Sequence, residues 1–84
     1  IDPSPFAVKV QRAEANLVNA KAQVAKARAD LDLKRLTLER NAELRRRDLI
    51  SQNDLDTARS SFDQALAQVG VAEAAIKQAE AELA

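Results

Sequence analysis

Six basic side chains, Lys34, Arg35, Arg40, Arg45, Arg46 and Arg47, crowd the middle of this 84-residue chain and form its one local charge signal. Guanidinium groups at that density can hold phosphates or meet carboxylates of a protein. The surroundings favour the second use. The whole chain balances 13 basic against 13 acidic residues, so no net field draws it to nucleic acid or to an anionic membrane. The half that follows the cluster is acidic, with Asp56, Asp63, Glu73, Glu80 and Glu82 against Arg59 and Lys77. Arg40 and Leu44 stand four residues apart, which places them on one face of a helix, and the hydroxyl of Ser51 follows closely. A charge, an apolar knob and a hydroxyl side by side are the chemistry of contact between surfaces.

Bond-making chemistry has little to work with. The chain has no His and no Cys, which removes imidazole catalysis, thiolates, disulfides and thiolate zinc sites. It has a single Gly, so it has no glycine-rich phosphate loop, and its carboxylates are scattered without metal-ligand spacing. The expectation is therefore no catalytic, cofactor-binding or metal site, and no enzyme. Apolar runs extend only a few residues, too short to span a bilayer. No basic segment leads into an apolar run, so an export signal, if the protein is exported, is expected outside these residues.

The elements that position the basic cluster are helices. Alanine is abundant, and both Pro residues fall in the first five positions. Pro3 and Pro5 keep residues 1–4 extended, and Ser4 followed by Pro5 reads as an N-cap with Pro at the first helical position. Val10, Leu17, Val24, Leu31 and Leu38 then recur every seventh residue, followed three residues later by Ala13, Ala20, Ala27 and Lys34. Arg45–Arg47 suit a last turn, where the helix dipole favours cations. Asp48, Leu49 and Ile50 form the turn, and Ser51 with Asp54 is a capping-box variant that opens a second helix. There Leu55, Phe62, Val69, Ile76 and Leu83 repeat the heptad, with Ala58, Ala65, Ala72 and Ala79 between them.

The reading is all-α: a two-helix antiparallel coiled-coil hairpin with helix 1 over about 5–46, a tip over 47–51 and helix 2 over about 52–84. Each helix is about 50–60 Å long. The favoured register sets Leu38 against Ala58, Leu31 against Ala65, Val24 against Ala72 and Leu17 against Ala79, so every layer holds one large and one small residue. A slide of one turn either way stacks large on large. Gly70 reads as a tolerated surface glycine that costs about 1 kcal/mol relative to Ala.

A second apolar stripe lies off this seam. Leu33, Leu36 and Leu44 point away from the Leu31/Leu38 line, with Ala22 and Ala29 extending the stripe and Arg40 inside it. A two-helix hairpin cannot cover that face itself, so it reads as a contact with another chain.

Three features together resemble the periplasmic adaptor, or membrane fusion protein, family of tripartite efflux and secretion systems. The opening Ile1-Asp2-Pro3-Ser4-Pro5-Phe6 resembles the segment leading from one half of a lipoyl-like domain into the α-hairpin. Ala13-Glu14-Ala15-Asn16-Leu17 and Ala72-Glu73-Ala74-Ala75-Ile76 look like the hairpin arms. Arg40, Leu44 and Ser51 match the family's Arg-x3-Leu-x6-Ser tip motif. The resemblance implies a channel-docking tip of Arg40, Leu44 and Ser51, with Leu33, Leu36, Arg45, Arg46 and Arg47 available for lateral or channel contact. It further implies a TolC-like outer-membrane channel and an inner-membrane transporter as partners, the latter through domains outside these residues. Neighbouring adaptor copies in a ring, commonly hexameric, and a periplasmic location with an inner-membrane anchor elsewhere in the protein complete the expectation. Two other readings stand beside it: a nucleic-acid-binding helical arm such as that of seryl-tRNA synthetases, which the acidic second helix disfavours, and a purely structural coiled-coil spacer.

Overall fold

A computed structural model describes residues 4–84; the extended lead-in expected at Ile1–Pro3 lies outside the described residues. Two helices make up the fold, α1 over Pro5–Arg46 and α2 over Gln52–Leu83. They pack antiparallel along their length into a rod of 72 × 14 × 14 Å. Pro5 occupies the first turn of α1, and the Ser4 hydroxyl accepts a hydrogen bond of 3.2 Å from the Phe6 N–H. That satisfies one of the donors every helix start leaves open.

The core is a single seam. Ala13, Ala20, Val24 and Ala27 of α1 are buried against Leu55, Ala58, Ala65, Val69, Ala72 and Ala79 of α2. Seven of these ten residues are alanines, and the seam is narrow because alanine lets two helix backbones approach closely. Val24, at 4% exposure, is the most enclosed. Val24, Ala27, Val69 and Ala72 form one cluster, with Leu31 and Ile76 packed against it. The cluster thus draws both large and small residues from each helix.

Leu17, Leu31, Leu38, Phe62 and Ile76 are only half-buried. Two helices enclose a side chain from two directions, so the larger seam residues keep one flank in water. Toward the turn the seam becomes more polar: Lys34 and Asn41, which continue the alanine row of α1, are half-buried. Gly70 is exposed, and a Cβ added there would meet nothing within 4 Å.

Two substitutions test this packing. Val24→Asp puts an unpaired charge in the tightest layer of the only core the rod has, at a cost of several kcal/mol. Circular dichroism of the chain should show a large loss of helix, and Leu31→Asp should do the same less severely; unchanged melting would remove these residues from the seam. Gly70→Ala should stabilise the chain by about 0.5–1 kcal/mol, since it restores helix propensity in open space, and a lower melting temperature would show an unseen neighbour at that position.

Candidate functional site

The end of the rod where the chain reverses gathers the residues singled out by type and spacing. α1 stops by a left-handed cap. Asp48 has φ 58°, its N–H bonds the Arg45 carbonyl at 2.9 Å, and the Leu49 N–H bonds the Leu44 carbonyl at 2.9 Å. This nested pair is the Schellman arrangement, which consumes the free carbonyls of the last turn. Glycine usually holds its left-handed position. Aspartate, like asparagine, tolerates that conformation better than most side chains, and its carboxylate forms a 2.9 Å ion pair with Arg45.

α2 starts equally firmly. The Ser51 hydroxyl accepts from the Asp54 N–H at 3.1 Å, and the Asp54 carboxylate accepts from the Ser51 N–H at 3.4 Å. The reciprocal capping box expected from the sequence is thus formed with Asp in place of Glu. The Arg45 Nε also donates to the Gln52 side-chain oxygen at 3.4 Å, joining the end of α1 to the start of α2.

The three consecutive arginines are held within the tip. Arg45 pairs with Asp48, Arg47 pairs with Glu43 at 3.1 Å, and Arg46 pairs with the same carboxylate. A phosphate ligand would have to displace these partners. Glu43, half-buried at the foot of the turn, thus anchors two of the three arginines. Arg40 itself is exposed and makes no ion pair among the described residues. Its two nearby carboxylates are engaged elsewhere: Glu39 with Arg35 at 3.2 Å, and Glu43 with Arg46 and Arg47.

Leu44, which the spacing sets on a stripe away from the seam, is half-buried, and its carbonyl receives the Leu49 N–H. Leu33 and Leu36 are exposed at 57% and 50%, so the apolar stripe exists upstream of the tip. Leu49, at 66% exposure, is an apolar side chain at the apex that sequence reasoning had treated only as part of the turn. Arg40, Leu44 and Ser51 therefore share one end of the rod: Arg40 and Leu44 one turn apart on α1, and Ser51 opening α2.

Among the described residues no group of three or more Asp and Glu side chains is placed to hold a metal ion, and no helix is long and apolar enough to cross a membrane. Among the described residues, open grooves run between the helices, one of them lined by Leu33, Thr37, Ile50, Asp54 and Ala58.

The family model for the "RND MFP, alpha-helical hairpin domain" matches residues 9–84. The chain belongs to this family of membrane fusion protein hairpins. The match covers nearly all of both helices and the tip between them. The chain is 39% identical over 79 residues to the multidrug resistance protein MdtE of Escherichia coli K12, covering 94% of this chain and 19% of that protein. It is 36% identical over 83 residues to the macrolide export protein MacA of Escherichia coli O157:H7, covering 99% and 22%. The multidrug resistance protein MdtA of Proteus mirabilis is 37% identical over 83 residues, covering 99% and 18%. The chain thus spans about a fifth of the length of the curated relatives it matches. No solved structure matches it.

The caps at the tip of this adaptor hairpin are measurable apart from any partner. Ser51→Ala should cost about 1 kcal/mol. Asp48→Val should cost about 1–2 kcal/mol, because a β-branched residue resists the left-handed region, whereas Asp48→Gly should leave stability unchanged or higher. Urea denaturation of the chain reads all three, and a neutral Asp48→Val would mean that the turn re-forms in another conformation.

Proposed function

We propose that this hairpin is the arm of a periplasmic adaptor that docks tip-to-tip on a TolC-like outer-membrane channel and links it to an inner-membrane transporter for export of drugs or other substrates. The observation that carries the reading is the family match over residues 9–84, which coincides with a thin rod built to span distance. The named relatives are multidrug resistance and macrolide export proteins, and this supports an export role for the protein carrying this chain. Its setting is periplasmic, with the inner-membrane anchor and the transporter contact in other parts of the protein. Neighbouring copies stand around the channel in a ring, commonly hexameric.

The tip chemistry supports docking in a specific way. Arg45, Arg46 and Arg47 are engaged by Asp48 and Glu43, so they stiffen the tip. Arg40 keeps its charge unpaired among the described residues and open to a carboxylate or carbonyl of a partner. Leu44, half-buried, offers an edge of apolar surface beside it, and Leu49 adds a second at the apex. Ser51 is committed to its cap through the hydroxyl's acceptor role and keeps its proton to donate outward.

Arg40→Asp and Leu44→Ser in the full-length protein should abolish crosslinking of the tip to the outer-membrane channel and abolish export, with helix content and expression near wild type. Ser51→Ala should reduce both by a smaller factor. Normal crosslinking and export in the first two variants would reduce the hairpin to a spacer.

A further inference from the structure

The alanine row of α1 stops short of the tip. Ala13, Ala20 and Ala27 are buried, but the next two positions of the same row are Lys34 and Asn41, both half-buried. No residue of α1 after Ala27 is buried. α2 still buries Leu55, Ala58 and Ala65 along this stretch, so the seam persists, held from the α1 side by half-buried residues alone. The polar ends of Lys34 and Asn41 need water or a partner. An open groove supplies the water: both residues line it, together with Thr37, Asp54, Thr57 and Ser61. Lys34 reaches only Asp30 on its own helix, at 3.8 Å. Among the described residues two side-chain links join the helices, Arg28 to Glu73 at 2.8 Å and Arg45 to Gln52 at 3.4 Å. They stand on either side of this stretch, and none lies within it. Beyond each link the rod is well held. Toward the open end Val24, Ala27, Val69 and Ala72 close the seam as one cluster. Toward the tip both helix ends are capped.

We infer that residues 30–42 of α1 and 54–66 of α2 form a compliant neck, a joint on which the ordered tip tilts as a unit relative to the shaft. A packed seam yields first where few buried apolar contacts hold it. A polar residue at a core position of a coiled coil lowers stability, and here two successive layers carry one. In the register that the sequence favours, Lys34 stands at the level of Phe62 and Asn41 at the level of Leu55. Both helices continue unbroken through the neck, so the motion is a change in their spacing and bend, and the backbone hydrogen bonds stay closed. The use of the joint rests on the docking reading above: a tip that tilts can seat on a surface set at an angle to the shaft. The existence of the joint does not rest on it.

Pairs of spin labels on the full-length protein, in a background without other cysteines, read the joint directly. Leu36→Cys with Ser60→Cys spans the neck, and Ala22→Cys with Ala74→Cys spans the shaft. All four residues are exposed, and each pair lies at one level in the same register. The neck pair should give a distance distribution about twofold wider than the shaft pair, as a softer segment requires. Lys34→Ala with Asn41→Ala continues the alanine row. It should narrow the neck distribution to the width of the shaft and leave the shaft pair unchanged. Equal widths in the unsubstituted protein, or a neck distribution that the two alanines fail to narrow, overturns the inference. Crosslinking of the tip to the outer-membrane channel separates the joint from the docking reading. A severalfold loss in the Lys34→Ala, Asn41→Ala variant, beside complete loss in Arg40→Asp, supports a joint that serves docking. Normal crosslinking in the alanine variant with a narrowed neck overturns that use. Normal crosslinking in Arg40→Asp overturns docking through the tip, while the label widths still decide the joint.

Discussion

Everything in this molecule depends on the close approach of two helices across a row of alanines. Alanine contributes little apolar area per residue, and its value here is geometric. It leaves room between the helices for larger residues such as Val24, Val69 and Leu31 to pack in one cluster. Seven of ten buried residues are alanine and none of the large side chains is fully enclosed. The rod is thus held by many shallow layers and by no deep core. Its thinness and its length have the same cause, since a wider seam would need a third helix to cover it.

At one end of that seam the chain reverses in five residues, and the local chemistry there is unusually complete. The Schellman bonds close α1, the capping box opens α2, and Arg45 touches both Asp48 and Gln52. Exposed ion pairs are each worth little, but these sit on a backbone already fixed by its caps. The result is a blunt, ordered end on which exposed side chains such as Arg40 and Leu49 are presented from defined positions. Pre-organisation of this kind lowers the cost of ordering an interface.

Much of this was legible in the residues. The seven-residue repeat with alanine three positions on specified two helices and their shared face, and Ser4-Pro5 and Ser51 with Asp54 marked their beginnings, because capping is a local interaction between neighbours in sequence. Gly70 was rightly read as an exposed position. Less legible was the end of α1: nothing in Asp48 announces a left-handed residue, since glycine is the usual signal, and only the nested hydrogen bonds disclose it. The half-buried state of Leu44 does not follow from its angular position, which is defined for an isolated helix and takes no account of the chain beyond the helix end. The pairing of Glu43 with Arg46 and Arg47 was equally hidden, since several acceptors lay within reach of each arginine and spacing alone does not choose among them. Which tip residue meets which partner surface is a property of two molecules and is not written in one chain.

The antiparallel seam has a further consequence for how the rod comes into being. Contacting residues near the turn are close in sequence, whereas Leu17 and Ala79, matched far from it, are separated by most of the chain. Loop-closure entropy therefore rises steadily from the turn outward. The capped turn is the cheapest place to begin, and each layer closed brings the next pair within reach, so the hairpin closes as a zipper from the tip toward its open end. The end that would meet a partner is the first to acquire its shape, and the open end, farthest from it, is the last to form and the first to fray.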